Sequence, residues 1–340
     1  MSGNLILVTG GTGHVGFRNI VEALQKGYRI RAAVRHESGI EQIKRAKSIQ
    51  PYLDNIEFFI VPDILADGAY DEAIKGVDYV LHSASPLASK TAGDPEKNLF
   101  EPAVKGTTGI LQSALKIRTI KRIVITASVL SIVSFQDLVV EVSEKVFNDT
   151  NRATTHPPPY TNDLDAYSSS KIRAFDATNN FVTKHKPHFE ITNIMPVFII
   201  GKSELVTSPN NITNGTNRAA MSPLLGLKNS YVTPSISVHV DDVAYAHVKA
   251  LDPSVPGGQN FLLSSEGIKG TTWNDAIEIV KKHFPGEVKK GVFPLEGDVP
   301  TKQAKLDVTR TEKVLGLRFK SYEEQVISVA GHYVELMNTA

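Results

Sequence analysis

Leu5-Ile6-Leu7-Val8-Thr9 runs straight into Gly10-Gly11-Thr12-Gly13-His14-Val15-Gly16. The first stretch is apolar up to Thr9, as a strand buried on both faces must be. Val15–Gln25 then has the spacing of an amphipathic helix. Glycine turns tightly and lets the backbone approach a pyrophosphate, because no Cβ stands in the way. The helix that follows offers free N–H groups and the positive end of its dipole to an anion. Strand, glycine loop and helix in this order read as a dinucleotide-binding turn lined by Gly10, Thr12, Gly13, His14, Val15 and Gly16. A turn that merely uses glycines is the plainer alternative.

The rhythm of this opening continues. Candidate strands lie at Leu5–Thr9, Arg29–Val34, Ile56–Val61, Tyr79–His82, Ile123–Thr126 and Ile191–Met195. Helical stretches fall between them, near Val15–Gln25, Tyr70–Lys75, Phe100–Leu115 and Tyr167–Lys184. Short apolar strands alternating with amphipathic helices predict an α/β fold, a doubly wound parallel sheet of the Rossmann type. From about Met195 the alternation loosens. Ser203–Asn217 is polar and reads as a loop, and further helices are expected near Trp273–His283 and Tyr322–Leu336. Residues 1–195 are therefore expected to form the dinucleotide-binding domain. Residues 196–340 are expected to be mainly substrate-binding, with about 230–265 returning to the first domain.

The adenine ribose is read at the end of the second strand, about 20 residues beyond the glycines. A carboxylate there suits the 2′-hydroxyl of NAD. This chain offers Arg35, which suits the 2′-phosphate of NADP, with Glu37 close by. Asp63, just past the third strand, is either a partner for the adenine amino group or a helix N-cap.

Tyr-x-x-x-Lys places a phenol and an ammonium on one face of a helix. A free tyrosine titrates near pH 10, and a nearby cation favours its phenolate, so such a pair can move protons at neutral pH. The pattern occurs twice, at Tyr167/Lys171 and at Tyr245/Lys249. Tyr167 begins a long helix that leads into the sixth strand, about forty residues after the fifth, and is taken as catalytic together with Lys171. Tyr245 lies in a short amphipathic helix and is read as packing. The fifth strand ends Thr126-Ala127-Ser128-Val129-Leu130-Ser131. A hydroxyl at that end can hold a substrate oxygen. Ser128 is the candidate, with Ser131 in reserve.

Composition narrows the function. Lys plus Arg number 37 and Asp plus Glu 36, a net charge of +1 with no basic run, which argues against a nucleic-acid partner. There is no cysteine, which removes disulfides, thiolate metal sites and cysteine nucleophiles. No His-Glu-x-x-His occurs and the ten histidines lack ligand spacing, so no metal is expected. No run of apolar residues is long enough for a membrane span, and Asn4–Thr9 does not resemble a signal peptide. A soluble, cytoplasmic protein is expected. Oligomeric state is not legible.

Taken together these residues resemble the extended short-chain dehydrogenase/reductase family, over nearly the whole chain. The branch it is most similar to holds dihydroflavonol reductases, cinnamoyl-CoA reductases and fungal ketone or methylglyoxal reductases. Val8–Gly16 matches the cofactor loop of that branch, and Arg35 its basic residue for NADPH. Asp78–Pro86 resembles its fourth-strand signature, which runs along the cofactor, and Pro102–Thr107 its next helix. His239–Ala244 and Asp307–Gly316 resemble its late motifs. Ala127 stands where the branch usually carries a second serine, and Lys105 where some members carry asparagine. The 135–159 stretch is a long loop before the catalytic helix. In the family such a loop lines the substrate site.

The resemblance implies NADP(H) held by the glycine loop, Arg35, Asp63, Ile64, Ser83, Ala84, Ser85, Tyr167, Lys171 and Pro196. It implies Tyr167 as proton donor, Lys171 as its modulator and Ser128 as donor to the substrate oxygen. The expected activity is NADPH-dependent reduction of a small-molecule ketone or aldehyde. A sugar-nucleotide epimerase or dehydratase is the alternative on the same fold. It is disfavoured because Arg218 is the only arginine between Arg173 and Arg310 to meet a diphosphate. A dinucleotide sensor without chemistry would not need the Tyr–Lys pair.

Overall fold

The computed structural model describes residues 3–85, 94–140, 144–156, 158–160 and 163–339. Pro86, Pro157 and residues 141–143, which belong to motifs and the long loop quoted above, lie outside the described residues. In chain order the elements begin β1 (Leu5–Thr9), α1 (His14–Gln25), β2 (Arg29–Val34), α2 (Glu37–Arg45), β3 (Ile56–Ile60), β4 (Tyr79–His82), α3 (Glu101–Leu115) and β5 (Arg122–Thr126). Next come β6 (Val146–Phe147), α4 (Asp163–His185), β7 (Glu190–Pro196), β8 (Phe198–Ile200), α5 (Asn217–Met221), β9 (Thr233–Pro234), β10 (Ser237–His239) and α6 (Val240–Lys249). The chain closes with β11 (Asn260–Leu263), α7 (Asp275–His283), α8 (Pro285–Lys289), β12 (Thr301–Lys302), β13 (Lys305–Leu306), α9 (Thr309–Leu315) and α10 (Tyr322–Thr339).

Seven strands form one sheet in the order β11-β7-β5-β4-β1-β2-β3. The pairings of β1 with β2 and β4, of β2 with β3, and of β5 with β4 and β7 are all parallel. The fold is thus the expected α/β doubly wound sheet of Rossmann type. Strand order reverses between β1 and β4, and such a switch opens a crevice at the carboxyl ends of the strands. Gly10 follows β1 there and Ser83 follows β4.

Two compact units make up the chain. The first comprises residues 1–136, 149–195 and 244–261; the second comprises 137–148, 196–243 and 262–340. In the first, Leu7, Val80 and Ile123 of the sheet pack with Ile110, Leu111 and Ala114 of α3. The Arg122 side chain, 6% exposed, also belongs to the first unit. It donates to the carbonyls of Ala250, Asp252 and Val255 and to the Glu190 carboxylate, so the returning segment is tied to β5. In the second unit Trp273 is fully buried and its Nε1–H donates to the Pro234 carbonyl at 3.0 Å.

Several local expectations are corrected. Tyr70–Lys75 is a set of turns, not a helix: Gly68 and Gly76 take positive φ (69° and 73°) on either side of it. Only one α-type bond, from Ile74 N–H to Tyr70 carbonyl, forms inside. α2 went unanticipated because it buries a single side chain, Ile43. The 135–159 loop contains a π-helical turn at Gln136–Val140 and the strand β6, which pairs in parallel with β13. Ser203–Asn217 includes a 3-10 turn at Pro209–Asn211. α4 starts at Asp163, so Tyr167 stands in its second turn.

Candidate active site

The glycine loop is built by contact. Gly10 has φ +73°, and a Cβ there would sit 2.7 Å from the Ala84 backbone nitrogen. A Cβ on Gly16 would lie 2.1 Å from the Gly10 carbonyl oxygen. Both clashes are with backbone, so neither can be relieved by a side-chain turn. Gly13 N–H donates to Gly10 O at 2.9 Å and closes the turn. Gly13 is also the N-cap of α1, and no side chain caps that end and no acid stands in its first turn. The first N–H groups of α1 therefore face outward beside a backbone that has been brought close, the arrangement a pyrophosphate requires. His14 and Val15 open the helix half-buried, and Thr12 is exposed.

Arg35 is exposed just past β2, and among the described residues no carboxylate pairs with it. Asp63 Oδ1 accepts from Leu65 N–H at 2.8 Å, so it caps the turn that follows β3. Ile64 packs half-buried against the sheet core. Pro196 is buried as the last residue of β7 and belongs to the second unit.

Behind the glycine loop lie two hydrogen-bonded groups. Thr9 Oγ1 accepts from Ala84 N–H at 3.1 Å and is hydrogen-bonded to His82 Nδ1 at 2.8 Å. Burial lowers the His82 pKa to about 4; the Gly106 backbone opposes it in part, and the nearby Lys171 charge adds a smaller push downward. The ring is neutral at physiological pH. A second chain runs Asn19 Nδ2 to Ser83 Oγ (3.0 Å), Ser83 Oγ to Thr126 Oγ1 (2.9 Å) and Thr126 Oγ1 to His247 Nε2 (2.7 Å). One direction of donation, from Asn19 to His247, satisfies all three contacts. It joins α1, β4, β5 and α6, and it holds the ends of the strands that carry Ser83 and Ser128. Sequence reading missed this chain. Its signal was the polar residues at the carboxyl ends of otherwise apolar strands.

α4 presents the Tyr–Lys pair. Asp163 and Asp165 in its first turn and Lys184 and His185 in its last complement the helix dipole. The three serines between Tyr167 and Lys171 are buried, and Ser168 ties the helix to the segment after β5. Ser168 Oγ accepts from Phe135 N–H at 3.3 Å, and Ser170 Oγ donates back to the Tyr167 carbonyl at 2.7 Å. Lys171 is 8% exposed. Its Nζ lies 5.2 Å from the centre of the Tyr167 ring and donates to Ser85 Oγ at 3.1 Å. Tyr167 is half-buried. Ser128 Oγ, also half-buried, accepts from Leu130 N–H at 3.2 Å, which leaves its own O–H to donate. Ser131 is 2% exposed, and its hydroxyl has no partner among the described residues. The first unit thus gathers the glycine loop, Ser83 to Ser85, Ser128, Tyr167 and Lys171.

The profile of the NAD dependent epimerase/dehydratase family matches residues 6–263. The chain belongs to this family, the extended short-chain dehydrogenases/reductases. Within the family it is 36% identical to ketoreductase CTB6 of Cercospora nicotianae, over 99% of this chain and 96% of that one. It is 30% identical to a putative NADPH-dependent methylglyoxal reductase of Candida albicans, over 97% of this chain and 99% of that one. Among solved structures, a reductase studied by structure-guided engineering for asymmetric catalysis superposes with a TM-score of 0.81 at 26% identity, covering 98% of this chain and 100% of its own. Gre2 of Candida albicans in complex with NADPH shares the fold at a TM-score of 0.79 and 22% identity, covering 98% of this chain and 99% of its own. Among the described residues no helix is long and apolar enough to cross a membrane, and no cluster of ligating side chains could hold a metal.

Proposed function

We propose that the protein is an NADPH-dependent carbonyl reductase acting on a small-molecule ketone or aldehyde. The observation that carries this reading is the placement of Lys171, buried, its ammonium over the Tyr167 ring and anchored on Ser85 beside the glycine loop. Relatives named as ketoreductases support it. When bound, NADPH supplies the hydride that goes to the carbonyl carbon. The glycine loop fits the pyrophosphate because a Cβ at Gly10 or Gly16 would fill that space. Arg35 suits the 2′-phosphate, since no acid among the described residues competes for it.

The chain's own residues handle the oxygen. Tyr167 O–H donates its proton to the carbonyl oxygen as charge develops there. The Lys171 ammonium favours the phenolate left behind, and Ser85 holds that ammonium in line. Ser128 O–H donates a hydrogen bond to the same oxygen. In this reading the first unit binds the cofactor and carries the residues that act on the substrate oxygen.

The test is NADPH consumption against α-diketones, β-keto esters, aldehydes and aryl ketones, repeated with NADH and with Arg35→Ala. Wild type is expected to favour NADPH. The variant is expected to lose about 10- to 100-fold of that preference, as befits hydrogen bonds to a charged group. Cofactor binding without turnover of any carbonyl, or of any alcohol in reverse, would sink the reading.

A further inference from the structure

Asp165 has no part in the chemistry above, yet it is 1% exposed and stands two residues before Tyr167. Its Oδ1 lies 2.9 Å from His156 Nε2. An ionised carboxylate only accepts, so the imidazole donates. The His156 ring in turn rests against Tyr160, with centroids 5.2 Å apart at 51°. The Tyr160 hydroxyl donates to the His156 carbonyl at 3.4 Å, and its ring meets Phe100 edge-on at 5.6 Å. Phe100, Leu99 and Ala166 form a small buried cluster against which Tyr160 and Tyr167 both pack. Arg173 covers Phe100 at 4.3 Å and pairs with both oxygens of Glu96, which closes the far side of the cluster. Two half-buried tyrosine rings therefore share one floor, and one of them sits in a non-helical segment that His156 ties to the catalytic helix.

We infer that His156 is a positioning residue: its bond to Asp165 sets Tyr160 beside Tyr167, where the Tyr160 ring receives an aryl group attached to the reacting carbonyl. This rests on the reductase reading. A ring face held at a fixed place adds affinity only for substrates that carry a flat group next to the carbonyl. A small aliphatic carbonyl reaches Tyr167 without touching it.

The experiment compares His156→Ala, His156→Gln and Tyr160→Leu with wild type. It reads kcat and KM for an aryl ketone and for methylglyoxal, NADPH affinity by fluorescence, and hydrogen exchange over 149–160. His156→Ala is expected to raise KM for the aryl ketone about tenfold, the size of one aromatic contact, with kcat little changed. KM for methylglyoxal and NADPH affinity stay within about twofold, inside the scatter of a substitution that removes no contact to either. Tyr160→Leu reproduces the split. His156→Gln, which keeps an N–H donor for Asp165, returns most of the lost affinity. Equal losses for both carbonyls, or no rescue by glutamine, overturn the inference and leave His156 a purely structural residue. If wild type reduces neither compound, the reductase reading fails on its own. Exchange over 149–160 then still reads the tie: faster in His156→Ala supports it, unchanged overturns it.

Discussion

Two Tyr-x-x-x-Lys pairs lie in the same unit, on different helices, and they have different fates. In α4 the lysine is buried, its ammonium over the Tyr167 ring and donating to Ser85. In α6 the Lys249 ammonium turns instead to Asp252, 2.8 Å away, and that bond is the leading cause that holds the Asp252 carboxyl down at about 2. Lys249 is satisfied by a carboxylate at the surface and has no reason to attend to Tyr245. The spacing is identical; what differs is the acceptor each ammonium meets. A lysine becomes useful to a phenol when burial removes water and its anchor is a neutral hydroxyl, so that its charge stays available to the ring.

The largest expected effect separates the two tyrosines. Tyr167→Phe should lower kcat for carbonyl reduction about 10²- to 10⁴-fold, the range for a general acid, with NADPH affinity retained. Tyr245→Phe should leave kcat within the error of steady-state assays. Comparable losses in both would erase the distinction. The lysines come next. Lys171→Met should cost about one to two orders of magnitude in kcat, because the charge that develops on the Tyr167 oxygen loses its nearest cation. Lys249→Met should remove only about 0.5 kcal/mol of unfolding free energy, since the pair is partly open to solvent.

A pH-dependent effect on stability concerns His82, buried within reach of the Lys171 charge. Its folded pKa of about 4 lies below the ordinary 6.5, so the unfolded chain binds the proton first. Its contribution to stability is full above pH 6.5 and is lost as pH falls toward 4, at most on the order of 3 kcal/mol. Asp242, whose pKa burial raises to about 6, acts in the opposite sense: it favours the fold as pH drops from 6 toward 3.8. Relative to wild type, His82→Asn should flatten the acid loss of stability and Asp242→Asn should steepen it, read by denaturant unfolding between pH 7.5 and 4.5. Parallel curves for all three proteins would contradict the linkage.

Much of the frame was legible because its cause is local. β1, β2 and β4 match the expected strands end to end; β1 is buried along its whole length and apolar up to Thr9, and β2 keeps its buried apolar residues at Ile30 and Ala32–Val34 although Arg29 and Arg31 interrupt the run. The glycines at 10, 13 and 16 and the Tyr167–Lys171 spacing are likewise readable without a partner. What escaped depends on distant residues. β6 is two residues long and exists only because Lys305–Leu306 lies beside it. α2 carries too little apolar surface to announce itself, with Ile43 its one buried side chain. Tyr70–Lys75 has helical composition, but glycines at both ends leave no room for a second turn. Asn19, Ser83, Thr126 and His247 come from four separate elements, and no spacing rule links them.

The tie between Arg122 and the carbonyls of Ala250, Asp252 and Val255 bears on how the chain is born. Residues 244–261 belong to the first unit, and β11 completes its sheet beside β7. During synthesis that unit waits for a segment made after much of the second has been translated. At about 5–20 residues per second, several seconds pass in which β7 has an open edge and Arg122 lacks its acceptors. The nascent protein is most open to mispairing in that interval, and codon usage or chaperone supply between 196 and 261 should govern its yield more than the same changes elsewhere.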